Sequence, residues 1–301
     1  MFQEKRLAFM YALSPVHMGS GTSLGVIDNP IQREKHTGHP VFAGSGIKGA
    51  CREAAKQSGC SNVNIIFGPD TNASEHAGAA SFTDAQIVAF PVRSLRHGFV
   101  YATSPIALSR MIRLARAVGI SPPVEMPSEP NDESAIIISD ELLSEGKLIL
   151  ESYEFKKQDG GENLKNIANW LADQIFDKNS GYSFFKEKLK KHLVLISDTQ
   201  FSYFVNNSTL VEPHVRIDDN TGTSDDGGLF FTENVPPESI FVSLVMASQE
   251  RKKKGDGGKS ISASEIMAEL EEILSGKLLQ IGGDATTGRG QVFIRFNNKE
   301  E

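Results

Sequence analysis

Cysteine is nearly missing from this 301-residue chain: Cys51 and Cys60 are the only two, with no Cys-x-x-Cys and no zinc-type spacing. A disulfide framework and a cysteine-built structural metal site are both excluded, leaving two free thiols. No uninterrupted apolar run approaches the roughly 20 residues needed to cross a bilayer. Met1 to Arg6 carries both charge signs, unlike a secretory leader. The expected location is therefore the cytoplasm, with no membrane partner. There is no repeat at solenoid period, no low-complexity tract, no Ser/His/Asp order and no zinc-hydrolase spacing. Positive charge is not in excess either. The net charge is −7, which at first argues against nucleic acid, because phosphate binding rests on Lys and Arg.

The distribution of that charge changes the argument. Residues 1–120 hold 12 Lys and Arg against 7 Asp and Glu, whereas residues 121–301 hold 19 against 31. Such asymmetry suits a basic face laid along a polyanion, with an acidic remainder turned to solvent or to neighbouring basic subunits. At 39% hydrophobic residues the chain can bury one sizeable core with insertions. Strands are expected at Leu7 to Leu13, Ala80 to Phe90, Phe99 to Thr103, Ala135 to Ser139, Leu148 to Phe155, Ile240 to Ala247 and Val292 to Phe296. Helices are expected from Ser45 to Lys56, with Ser45 as N-cap and Gly59 past the end, and at Ile106 to Val118, Glu162 to Phe176, Tyr182 to His192 and Ala263 to Leu274. Leu210 to Ile217 and Gly228 to Val235 flank the turn-rich Asp218 to Gly227, which predicts a projecting hairpin. The basic stretch Lys252 to Lys259 reads as a solvated linker. The strand, helix, strand order, twice over, is compatible with ferredoxin-like units in an α+β fold.

Ser14 to Pro40 is a loop too long to be idle in a compact domain. It gathers His17, Asp28, Arg33, Lys35, His36 and His39 on a glycine-rich frame. Asp28 matters most, because a carboxylate can bind a divalent cation or orient a ribose hydroxyl; Asp28-Asn29-Pro30 is also good turn chemistry. His17 can carry a proton, although on the residues alone a structural role is the better reading. Lys48 and Arg52, four apart, share one face of the first helix near its N-terminal amides, where a phosphate backbone and plain solvation explain them equally well. The run Ile281 to Gln291 places Gly283, Gly288 and Gly290 around Arg289, so backbone amides can approach a phosphate. It lacks the strand-to-helix context of a nucleotide-cofactor loop, and as a bare pattern it is better read as a tight turn.

An ordered set of motifs goes further. Gly19-Ser-Gly-Thr22, Pro30-Ile-Gln-Arg-Glu34, Ser45-Gly-Ile-Lys-Gly49, Phe67-Gly-Pro69, Phe90-Pro-Val-Arg-Ser-Leu95, Thr103-Ser-Pro105, Arg216-Ile217 with Thr221-Gly222, Gly227-Gly-Leu229 and the Ile281 to Gly290 loop span nearly the whole chain. Together they resemble the RAMP superfamily, specifically the repeated backbone subunit of type III-B CRISPR effector complexes. The resemblance implies a single RAMP domain over 1–301, with a ferredoxin-like, RRM-related core, a long N-terminal loop and a thumb-like hairpin at about 208–236. It implies several copies along a guide CRISPR RNA beside other effector subunits, cutting target single-stranded RNA at regular intervals with a divalent cation, Mg²⁺ or Mn²⁺. The family's essential aspartate falls on Asp28, as catalytic residue and metal ligand, with His17 beside it. Arg33, Lys48, Arg52, Arg216, Gly283, Gly288, Arg289 and Gly290 are the implied RNA contacts.

The loop supplies one well-matched carboxylate and not a full metal cage, with Glu34 and Glu233 as possible helpers. Two alternatives follow. One is a non-catalytic guide scaffold in the same kind of complex. The other is a stand-alone guide-processing ribonuclease using a histidine of the 17–39 cluster without metal.

Overall fold

A computed structural model describes residues 2–70, 76–122, 125–177, 181–219, 221–251 and 260–297. In chain order the elements are β1 (Glu4–Ala12), β2 (Val41–Phe42), α1 (Gly44–Gln57), α2 (Val63–Phe67), β3 (Ala80–Phe82), β4 (Ala85–Arg93), β5 (Phe99–Thr103), α3 (Pro105–Ala117) and β6 (Ser134–Ile137). They continue with β7 (Leu143–Ser144), β8 (Lys147–Leu150), β9 (Tyr153–Gln158), α4 (Gly161–Ile175), α5 (Ser183–His192), β10 (Leu193–Leu195) and α6 (Asp198–Asn207). The last are β11 (Leu210–Ile217), β12 (Ser224–Asn234), β13 (Ile240–Ala247), α7 (Ala263–Leu274), β14 (Lys277–Gln280) and β15 (Gln291–Phe296).

β1 explains why the chain opens on an apolar run. Its alternate residues enter two cores: Ala8, Met10 and Ala12 on one face, Leu7, Phe9 and Tyr11 on the other. A strand covered on both faces has no polar side to show. β1 lies antiparallel between β13 and β15, and β13 pairs antiparallel with β4. The order β15-β1-β13-β4, with α1 packed against α7 on one face, is the ferredoxin-like arrangement expected from the sequence. Beyond β4 the sheet continues through β5, β10, β6, β9, β8 and β7. On the opposite face α3, α4 and α5 bury Leu108, Met111, Leu164, Ile167, Leu171 and Leu189 against Leu7, Phe9 and Tyr11.

Three sequence expectations need correction. Ala80 to Phe90 is not one strand but β3 and β4, interrupted at Thr83-Asp84, each pairing with β13. Leu148 to Phe155 is not one strand but the hairpin β8–β9, which turns at Glu151 with φ 51°; no glycine or asparagine marks that turn. Ser45 does not cap α1. The helix starts at Gly44 after Ala43, which makes no side-chain cap bond. Instead the Gly44 amide donates to Asp84 Oδ1 at 2.7 Å, so the cap comes from the far side of the β3–β4 turn. Gly59 does follow the helix end in the left-handed region, φ 77°. The expected linker Lys252 to Lys259 lies outside the described residues.

β11 and β12 form a separate two-stranded sheet inserted between α6 and β13. Val211, Val215, Ile217 and Leu229 are exposed along it, and the His214 ring stacks on Phe230. Among the described residues no helix is long and apolar enough to cross a membrane.

Candidate active site and RNA interface

A long irregular loop must find partners for its backbone groups. Here the base of the hairpin and the loop itself provide them. Val16 bridges Val235, Asn29 bridges Thr232, Gly19 bridges Ile31, and Arg33 bridges Pro40. Asn29 exchanges two bonds with β12, its amide donating to the Phe231 carbonyl and its carbonyl accepting from the Glu233 amide, each at 3.0 Å. The 14–40 segment is thereby laid along β12.

Glu233 fastens the arrangement from inside. It is 3% exposed. Its Oε1 accepts from Arg33 Nη2 and from Thr209 Oγ1, and its Oε2 accepts from the Ile31 amide at 3.1 Å. Arg33 Nη1 also donates to the Gly38 and Val205 carbonyls and to Asn206 Oδ1. Glu34 is similarly engaged, accepting from Thr37 and Arg110. Burial opposes its ionisation, but the Thr37 and Arg110 hydrogen bonds outweigh that and hold the carboxyl below its ordinary value. Glu233 has both oxygens engaged, whereas Glu34 ties the loop down through Oε2 and its Oε1 takes no donor among the described residues.

Asp28 differs. Its Oδ2 accepts the Phe231 amide at 2.7 Å, and Oδ1 has no donor among the described residues. The carboxylate is therefore aimed by one oxygen and available by the other. His17 is held on the same strand: its Nδ1 donates to the Glu233 carbonyl at 2.7 Å. A carbonyl can only accept, so Nδ1 carries the proton and, in the neutral ring, Nε2 presents a lone pair. Phe231 and Glu233 are two apart on β12, which places the two anchors about 7 Å from each other. A Cβ at Gly19 would lie 2.8 Å from His17 Nε2, so glycine there keeps the nitrogen open.

The glycine loop closes the other side. The Gly283 amide donates to the His17 carbonyl, and the Gly290 amide to the Pro15 carbonyl. Gly282, at φ 83°, has no alternative, because a Cβ would fall on the His17 carbonyl oxygen. Gly288, at φ 81°, faces open space. Arg289 pairs with Glu212 of β11, joining this loop to the hairpin. Arg52 donates to Asn64, the Gly68 carbonyl and Asp70. Lys48 and Arg216, by contrast, have no carboxylate partner among the described residues, Lys48 half-buried and Arg216 exposed on β11. Burial, reinforced by Arg52 and Arg251, lowers the Lys48 ammonium from its ordinary value, as for a cation lacking a counter-charge.

Sequence reasoning missed one cluster. His97, Glu141 and His192 bring three ligand atoms within 4.8 Å of one another and can hold a metal ion. They come from the β4–β5 turn, the short helical turn Asp140–Leu142 and the end of α5. No local spacing could have signalled them. His36 and His39 stay apart: His36 bonds Arg110, and His39 faces Ser202 and Phe201.

Comparison with known proteins agrees with this geometry. A profile of the RAMP superfamily matches residues 9–293. The Pyrococcus furiosus protein named CRISPR system Cmr endoribonuclease Cmr4 is 37% identical over 302 residues, covering 98% of this chain and 95% of that one. The Saccharolobus solfataricus protein named CRISPR system CMR subunit Cmr4 is 25% identical over 313 residues, 96% of each. The crystal structure of oligomeric Cmr4 from Pyrococcus furiosus superposes with a TM-score of 0.73 at 29% identity, over 99% of this chain and 100% of that one. A chain of the type III-B Cmr-beta complex bound to cognate target RNA gives a TM-score of 0.72 at 21% identity, a likeness of fold. The chain belongs to the RAMP superfamily, among the Cmr4 backbone subunits of type III-B CRISPR effector complexes.

Proposed function

We propose that this chain binds guide RNA as a repeated backbone subunit and cuts the paired target single-stranded RNA at regular intervals, with Asp28 and His17 at the reacting phosphate. The observation that carries the proposal is the pair of loop groups anchored on β12: a carboxylate whose Oδ1 takes no donor among the described residues and an imidazole held by Nδ1, which leaves Nε2 open. A divalent cation, Mg²⁺ or Mn²⁺, would be held by Asp28 Oδ1 and would offset charge on the scissile phosphate. The donor set fits such an ion in part, since Mg²⁺ takes one or two carboxylates and completes its shell with water and phosphate oxygens. His17 Nε2 is placed to accept a proton from a ribose 2′-hydroxyl. Because Glu233 is fully engaged and Asp28 offers one oxygen, the site is complete only with RNA in place.

Lys48 and Arg216 meet guide phosphates directly, and the loop of Gly283, Gly288 and Gly290, whose own amides bond within the chain, lies along the same path. Arg33, Arg52 and Arg289 shape that surface through their protein bonds and turn their remaining exposed N–H groups to RNA, the Arg52 Nε being buried. Recognition is of backbone and not of sequence, since base pairing supplies the sequence. Further copies of the chain and other effector subunits complete the particle.

The test uses the assembled complex. Asp28→Asn should abolish the regularly spaced products while guide and target binding, measured separately, persist. Cutting that continues in the variant overturns the catalytic assignment, and cutting that survives chelation of divalent ions overturns the metal. Regular cutting that survives both treatments leaves this chain as a non-catalytic scaffold beside a nuclease in another subunit.

A further inference from the structure

His97, Glu141 and His192 share no element with the Asp28 site. They line a cavity of about 570 Å³ together with Ser183, Phe184 and Lys188. His192 is 7% exposed, whereas His97 and Glu141 stand at the surface. Lys188, also 7% exposed, donates from Nζ to His192 Nδ1 at 3.0 Å and to the His97 carbonyl at 3.0 Å. An ammonium has no lone pair, so His192 Nδ1 is the acceptor, and Nε2–H donates to Glu141 Oε1 at 2.8 Å. A buried cation thus sits among two imidazoles, held only by neutral acceptors, with the nearby carboxylate bonded elsewhere. His97 itself occupies the left-handed region, φ 61°, a conformation that costs a β-carbon residue about 1 kcal/mol and is kept where surroundings require it. Its ring lies 4.7 Å from that of His192, centroid to centroid.

We propose that His97, Glu141 and His192 bind a zinc-class transition-metal ion that locks the β4–β5 turn to α5, and that Lys188 is the built-in competitor for the site. Two imidazoles and one carboxylate form a borderline donor set, which suits zinc and its neighbours and not the all-oxygen preference of Mg²⁺. Tetrahedral bonds of about 2.0–2.1 Å need ligand atoms about 3.3 Å apart. The exposed His97 and Glu141 can swing to close that gap on the fixed His192, and the fourth position opens to the cavity. Coordination at His192 Nε2 moves the ring proton to Nδ1, which then faces Lys188. The Lys188–His192 bond and the metal are therefore mutually exclusive. No proton is lost or gained in the exchange.

The full-length, tag-free chain, stripped of metal by chelation, is titrated with Zn²⁺ and separately with Mg²⁺ by calorimetry. One Zn²⁺ per chain is expected, with a rise in melting temperature and no matching isotherm for Mg²⁺. His97→Ala, a surface change, should weaken Zn²⁺ binding by at least the roughly 10- to 100-fold that loss of an outer-shell partner costs. Lys188→Met should tighten it. Absence of saturable Zn²⁺ binding, or binding that His97→Ala leaves unchanged, overturns the site. Unchanged or weaker binding in a Lys188→Met protein of native circular dichroism overturns the competition.

Discussion

Glu238 is a carboxyl with no place for its charge. It follows Pro236-Pro237 at φ 71°, its Oε2 is buried without a partner, and burial pushes its pKa up to about 7. The folded chain therefore holds this proton more tightly than the unfolded chain, whose glutamate titrates at the ordinary value of 4.5. Stability from this group is full below about pH 4.5 and falls as pH rises through about 7. Glu238→Gln should leave the melting temperature at pH 4.5 almost unchanged and raise it at pH 8. The gain is on the order of 1 kcal/mol, since partial exposure screens much of the roughly 3 kcal/mol that such a shift represents. Parallel pH profiles for the two proteins would show that Glu238 keeps an ordinary pKa.

At the scale of elements, the loop and the hairpin are one unit because Arg33 and Glu233 join them across 200 positions. Arg33→Met leaves a buried carboxylate with only Thr209 and the Ile31 amide. A loss of about 3 kcal/mol is expected, with faster hydrogen exchange at Ile31 and Asn29. Adding Glu233→Gln should recover part of it; a double variant no more stable than the single would assign the loss to packing. Elements with clean periodicity were legible in the sequence: β5, β13 and α7 fall where predicted. The β8–β9 hairpin was not, because Glu151 takes a conformation that sequence rules reserve for glycine or asparagine. α6 was missed although Ser197 caps it, its apolar residues being mixed with Ser, Thr and Asn. Asp28 was singled out from motif order and stands as a proposal; what aims its carboxylate could not be read from the sequence, since Phe231 lies 203 positions away. The same separation hid the 97–141–192 cluster, which exists only once three elements meet.

For the whole molecule, a net charge of −7 does not exclude RNA, because Arg33, Arg52 and Arg289 around the candidate site are already paired whereas Lys48 and Arg216 have no carboxylate partner among the described residues. In the assembled complex, Lys48→Ala and Arg216→Ala should each weaken guide binding uniformly across guide sequences. Each should also reduce the slope of log affinity against log salt by about 1. An unchanged slope would take that residue off the phosphate path. The sheet also sets an order of events. β1 is made long before both its neighbours, β13 and β15, which lie within residues 240–296. Until residues 240–296 are made, Leu7, Phe9 and Tyr11 have neither strand partners nor a complete core. The growing chain carries that apolar run uncovered until its partner strands are made, so this central strand completes its pairing late and exposes an association-prone surface in the meantime.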